Sequence, residues 1–204
     1  VGRLLRVIHT LGFPLDFNGN ITRVLGQAIP VAKLGHRVDV LVSNRIPADS
    51  LKRAVRSGIN VYLLKGLVNA GEIGWRINNT VSLFMKTIGS INETSNSILH
   101  VAAPTPVFKP LVASEAAKLL KKPIVLDLHD PWSSSPFSHN LALMIQTQIM
   151  RRVIKNADYI LAGHTQLKKL VEKISRKKPV EVISNGVDTE LFKPRPRNTQ
   201  VAGC

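Results

Sequence analysis

Short apolar runs of strand length alternate with longer stretches of helical periodicity from one end of the chain to the other. The runs are Leu4–Leu11, His36–Ser43, Ile59–Gly66, Ser97–Ala103, Pro123–Asp130, Ala157–Gly163 and Val180–Gly186, each bounded by turn residues or charge. Between the first two, Ile21, Val24, Leu25, Ala28 and Ala32 recur at helical spacing and predict a buried stripe. Pro30 predicts a kink in that helix, and Gly35 a left-handed residue that ends it. The stretch "PADSLKRAVRSG" predicts a shorter helix closing at Gly58, and residues 75–93, 106–121, 139–155 and 165–174 predict four more. Thr105, before Pro106, reads as a helix cap. Seven strands joined by helix-length crossovers, which are right-handed almost without exception, wind into an α/β, Rossmann-like open parallel sheet with helices on both faces.

Composition sharpens this picture. At 204 residues the chain suits one domain, and with 5% aromatics its core must come from Val, Ile, Leu and Ala, as parallel sheets prefer. A net charge of +15 favours an anionic partner, although the clusters at Lys118–Lys122, Arg151–Lys155 and Lys168–Lys178 also read as solvated helix faces. The one cysteine, Cys204, permits neither an intramolecular disulfide nor a cysteine-based metal cluster, which points to a reducing, cytoplasmic compartment. No apolar run has the ~18 residues of a membrane span. The opening residues read as a first strand rather than a signal peptide, and the missing initial Met suggests a processed start.

In a wound sheet, ligands bind at the carboxyl ends of strands, so motifs there carry most weight. Asn18-Gly19-Asn20 precedes the first long helix, where free N–H groups favour a phosphate or carboxylate; a turn with an Asn cap is the plainer alternative. The small and proline residues of 102–108 read as a cleft wall. His129 and Asp130 stand together at the end of the fifth strand, before a serine-rich loop. An imidazole there can exchange protons with a hydroxyl near neutral pH while a neighbouring carboxylate holds it, though such a pair can also simply bond locally. Asn185-Gly186 ends the seventh strand, followed by Val187-Asp188. The remaining histidines show no metal-ligand spacing, so no metal site is expected.

The order of these features resembles the amino-terminal half of family 4 glycosyltransferases of GT-B fold. It is carried by "LGHRVDVLV", the strand ending "HD", "ADYILAGHTQLKKLV" and above all "VISNGVDTELFKP", over residues 3–194. The resemblance implies a retaining, metal-independent sugar transfer in a cleft between two Rossmann-like halves. Residues 1–188 would form the acceptor-binding domain, and 189–204 would begin the connector to a carboxyl-terminal donor domain. That second half would carry the nucleotide-sugar donor and two Glu separated by seven residues. Gly19, His129 and Asp130 would carry over as site residues, with His129 beside the transferred sugar. Asn185, Gly186, Val187 and Asp188 would form the cleft floor and domain junction. Two departures stand out. Asn-Gly-Asn replaces a Gly pair in the first loop, and His164 replaces a Ser, so Thr165 is expected to cap the last helix.

The expected partners are therefore the donor domain, on the same or a separate chain, and a sugar or lipid-linked acceptor. No cofactor is expected in this chain beyond the donor that the other half would bind. A noncatalytic basic docking module for an anionic membrane, or for a partner chain of a split glycosyltransferase, is the alternative. The segment Trp75–Ile91 could serve as an interfacial helix, but its pattern favours core packing. Nucleic acid is not expected, since there is no aromatic platform or recognition-helix arrangement.

Overall fold

The structure, a computed structural model, describes residues 4–11, 18–42, 47–63, 83–90, 96–103, 108–131 and 141–186. In chain order these form β1 (Arg6–Leu11), α1 (Asn18–Lys33), β2 (Arg37–Val42), α2 (Ala48–Arg56), β3 (Asn60–Leu63), α3 (residues 83–90), β4 (Ser97–Ala103), α4 (Phe108–Leu119), β5 (Ile124–Leu128), α5 (Leu141–Asn156), β6 (Tyr159–Ala162), α6 (Thr165–Ile174) and β7 (Val180–Val182). All seven strands run parallel in one sheet of order β3-β2-β1-β4-β5-β6-β7. The chain winds outward from β1 to β3, then restarts at β4 and winds the other way. The order therefore reverses between β1 and β4, where open sheets of this kind part to admit ligands.

Apolar residues on both faces of the strands divide the core in two. On one face Val38, Val40 and Val42 meet Ile21, Val24, Leu25 and Ala28 of α1 and Ala54 of α2. On the other, Ile8, Leu99, Leu126 and Ile160 pack with Leu83 of α3, Ala113 of α4, Ile154 of α5 and Val171 of α6. Leu83 is fully buried, so the described part of the Trp75–Ile91 segment is a packed helix; Trp75 itself lies outside the described residues.

Several expectations need adjusting. Pro30 lies within α1, which continues to Lys33, where Leu34 N donates to the Pro30 carbonyl at 3.1 Å. Gly35 and Gly58 do adopt positive φ, +86° and +75°, after α1 and α2. Asn18, Gly19 and Asn20 are not a loop before the helix but its first turn. Loop-type residues are tolerated there because the first N–H groups lack intrahelical acceptors. The last helix is capped by His164 rather than Thr165: its Nδ1 accepts from Leu167 N at 3.2 Å, so the ring takes over the role of a Ser hydroxyl. Thr105, Val187, Asp188 and the connector 189–204 lie outside the described residues.

One buried ion pair fastens the amino ends of the strands. Arg6 of β1 binds Asp39 of β2, whose other oxygen accepts from Asn60 Nδ2 of β3 at 2.8 Å. A carboxylate with no exposure is tolerated here because donors from adjacent strands surround it.

Candidate functional site

β5 reads Ile-Val-Leu-Asp-Leu, and strand alternation sends Ile124, Leu126 and Leu128 into the core shared with α4–α6. Asp127 therefore turns to the opposite face, beneath α1, where it is fully buried. A lone carboxylate in that setting needs donors, and α1 supplies them from adjacent turns. Arg23 makes a bidentate contact, Nη2 to Oδ1 at 2.7 Å and Nε to Oδ2 at 3.0 Å, and Gln27 Nε2 donates to Oδ2 at 2.9 Å. The fourth donor is His129, whose Nε2 lies 3.0 Å from Oδ2. Burial alone would raise the Asp127 carboxyl, but hydrogen bonds from His129 and Arg23, with the nearby histidines, hold it well below the usual carboxylate range.

His129 follows β5 directly, at the carboxyl edge and one strand beyond the point of reversal, and it is 9% exposed. The sequence expectation set Asp130 beside it as the holding carboxylate. The structure joins His129 to Asp127 instead and leaves Asp130 exposed. The physical reason is the strand period. Residues two apart share a face, whereas neighbours point apart. Against the His129 backbone stands Gly163, which follows β6 and donates its N–H to the Leu128 carbonyl at 2.8 Å. A Cβ at Gly163 would sit 2.9 Å from the His129 carbonyl oxygen, so only glycine permits this approach.

Arg23 also reaches the segment beyond β7. Its Nη2 donates to the Ile183 carbonyl at 2.9 Å and its Nη1 to Asn185 Oδ1 at 2.7 Å. Of the expected junction residues, Asn185 is thus tied to the Asp127 cluster. Asn185 and Gly186 lie beyond a strand that stops at Val182 and line a cavity of about 720 Å³ between α1 and this segment, with Arg23, Gln27, Lys33 and Arg53. Asn18, Gly19 and Asn20 share the carboxyl edge as the first turn of α1.

Deeper on the same face, His9 of β1 and His100 of β4 face each other across the point of reversal, with Nδ1 atoms 3.0 Å apart. One ring must donate and the other accept, so two neutral rings share one Nδ1–H. Burial, then the neighbouring His100, pushes His9 well below its ordinary value. Burial pushes His100 down to about 4, although Asp127 opposes it. Sequence spacing singled out neither this pair nor Arg23 and Asp127. A signal existed for Asp127, since an acidic residue inside a strand expected to be covered on both faces must have a partner. Among the described residues no three His, Cys, Asp or Glu side chains gather as a metal site.

A seven-stranded parallel sheet with its polar cluster at the carboxyl edge is the Rossmann-like half-domain of GT-B proteins. The sequence profile of Glycosyltransferase Family 4 matches residues 22–191, and the chain belongs to that family. No curated protein matches it. Among solved structures, Alr3699/HepE of Anabaena in complex with UDP and glucose aligns with a TM-score of 0.67 at 16% identity, covering 94% of this chain and 47% of that one. Sucrose-phosphate synthase from Thermosynechococcus elongatus aligns at 0.63 and 10%, over 95% and 51%. UDP-GlcNAc 2-epimerase from Neisseria meningitidis, bound to UDP-GlcNAc, aligns at 0.59 and 13%, over 90% and 46%. At such identities the likeness is one of fold, and this chain spans about half the length of each of these structures.

Proposed function

We propose that this chain is the acceptor-side half of a retaining glycosyltransferase that moves a sugar from a nucleotide-sugar donor to an acceptor hydroxyl. The observation that carries the reading is His129, held by a buried carboxylate at the carboxyl edge of a sheet whose family transfers sugars. An imidazole there can exchange a proton with a hydroxyl of the reacting pair, and Asp130, exposed beside it, is the second polar group for the acceptor. Residues 1–188 are the acceptor domain, and 189–204 lead to the carboxyl-terminal domain that holds the donor. The complex of Alr3699/HepE with UDP and glucose supports a nucleotide-sugar donor. A 2-epimerase shares the fold, so the family match, rather than the fold, favours transfer.

Stabilising a departing nucleotide diphosphate takes cationic groups and helix ends, which this reading assigns to the other half. The 204 residues alone are expected to show negligible transfer from UDP-sugars, with activity appearing when a donor domain is joined. Sustained turnover by the isolated chain sinks the proposal.

A second reading, docking on the cytoplasmic face of an anionic membrane, is favoured by the outer side of α5. Leu141, Met144 and Ile145 are exposed there, followed by exposed Arg151, Arg152 and Lys155. This reading coexists with the first if the acceptor is lipid-linked. Co-sedimentation with acidic vesicles that exceeds recovery with neutral ones, and is lost on Met144→Ser/Ile145→Ser substitution, supports it; equal weak recovery ends it.

A further inference from the structure

Among the described residues, four buried side-chain polar atoms have no hydrogen-bond partner: His9 Nε2, His100 Nε2, Gln27 Oε1 and Thr87 Oγ1. Thr87 belongs to α3, whose Leu83 packs on the opposite face of the sheet. The other three lie beneath α1. His9 and His100 sit side by side on β1 and β4, and His100 is level with Val125, two residues before Asp127 on the same face of β5. The two rings are thus about 7 Å nearer the amino ends of the strands than Asp127. Helix α1 starts at the carboxyl edge and runs back towards β2. Gln27, four residues after Arg23, therefore lies about 6 Å deeper and reaches the level of the rings. Its Nε2 is committed to Asp127, which leaves Oε1 as the other prong of the amide. Asp127 is near enough for its charge to act on both rings.

The character of the three atoms follows from what their partners already do. A neutral imidazole carries one N–H. The rings share one Nδ1–H across their 3.0 Å contact, so the donating ring has a bare Nε2 and the accepting ring an Nε2–H. With the Gln27 carbonyl oxygen, the set is one donor and two acceptors. A water molecule brings two O–H donors and a lone pair, and matches that set group for group. A metal ion does not, because it would need both Nε2 atoms deprotonated. An anion would meet two acceptors for one donor. His9 is 2% and His100 6% exposed, so bulk solvent does not serve these atoms.

We propose that His9, His100 and Gln27 form a binding site for a resident water molecule beneath α1, where the strand order reverses. The water accepts from one Nε2–H and donates to the other Nε2 and to Gln27 Oε1. Gln27 also lines the cavity of about 720 Å³, so its amide stands between that cavity and the rings and is the point where the water enters and leaves. The site is independent of the transferase reading, since it rests on the folded chain alone.

A crystal structure of the chain that shows ordered solvent is expected to hold a solvent peak within hydrogen-bond distance of at least two of the three atoms. The absence of that peak, or a ring or amide turned to a protein partner instead, overturns the proposal. In solution, water is expected to give the Hε1 protons of His9 and His100 NOE and ROE peaks of opposite sign, the mark of a molecule that tumbles with the protein. Peaks of one sign, or none, overturn it. The His9→Leu/His100→Leu variant is expected to lose at least one long-lived water by water-oxygen relaxation dispersion, and an unchanged count overturns the proposal. Should that variant fail to fold, Gln27→Ala removes one acceptor and the barrier to the cavity. It is expected to shorten the water's residence about fivefold, as for one lost hydrogen bond, and an unchanged residence overturns the proposal.

Discussion

His9 Nδ1 and His100 Nδ1 stand 3.0 Å apart at the point where the strand order reverses, in a pair that has room for one proton between them. Both rings are held neutral, His100 down to about 4 and His9 well below the ordinary 6.5. As pH falls below 6.5 the unfolded chain takes up protons on these rings while the folded chain does not. Stability is therefore intact above that value and is lost progressively as pH falls towards about 4. Asp127, held well below its ordinary 3.8, adds to the loss only at the acid end of this window, where the unfolded carboxyl begins to take up protons and the folded one does not. Urea unfolding across the range measures the slope, and the His9→Leu/His100→Leu double variant is expected to flatten it. A wild-type midpoint that does not move between neutral pH and 4 refutes the assignment.

The Arg6–Asp39 pair makes a second prediction. Asp39→Ala removes the buried carboxylate that the Arg6 guanidinium binds and is expected to cost about 3–5 kcal/mol. Arg37, which approaches the same carboxylate from solvent, is expected to cost no more than about 1 kcal/mol when changed to Ala. Equal losses for the two variants in chemical denaturation would contradict the burial argument.

Gly163→Ala forces a methyl group against a backbone carbonyl, which cannot rotate away as a side chain can. A loss of about 1–3 kcal/mol is expected, as for other overpacked sites, together with a displaced His129 ring resonance. A variant with wild-type stability and spectrum would show that β5 and β6 yield more easily than their spacing implies.

On the proposed transferase reading, His129→Ala in the chain joined to a donor domain is expected to lower turnover by about 10²–10⁴-fold, the usual range for a proton-transfer group, with little change in donor affinity. Steady-state kinetics with donor binding by calorimetry separates the two. Unchanged turnover reduces His129 to a structural residue.

The architecture was legible in the sequence because a covered parallel sheet writes itself as repeated apolar runs. Ser97–Ala103 and Thr165–Ile174 were found to the residue. Strand ends were overextended, as at Val180–Gly186, because an edge strand loses its neighbour before it loses its apolar residues. The site was legible only in part. His129 could be located by its place after a strand, but its true partner lay two residues back on the same face. Arg23, more than a hundred residues away, looked like any polar position on an amphipathic helix. Partnerships that cross the sheet leave no spacing to count.

The central strand also fixes a timetable. Arg6 pairs with Arg37 on one side and with Ser97 on the other, so during synthesis β1 keeps one edge bare until residue 97 emerges. At ~5–20 residues per second that wait is on the order of ten seconds. Throughout it the nascent chain shows an apolar, hydrogen-bonding edge to whatever is near, which makes early β1–β2 intermediates natural clients for ribosome-bound chaperones.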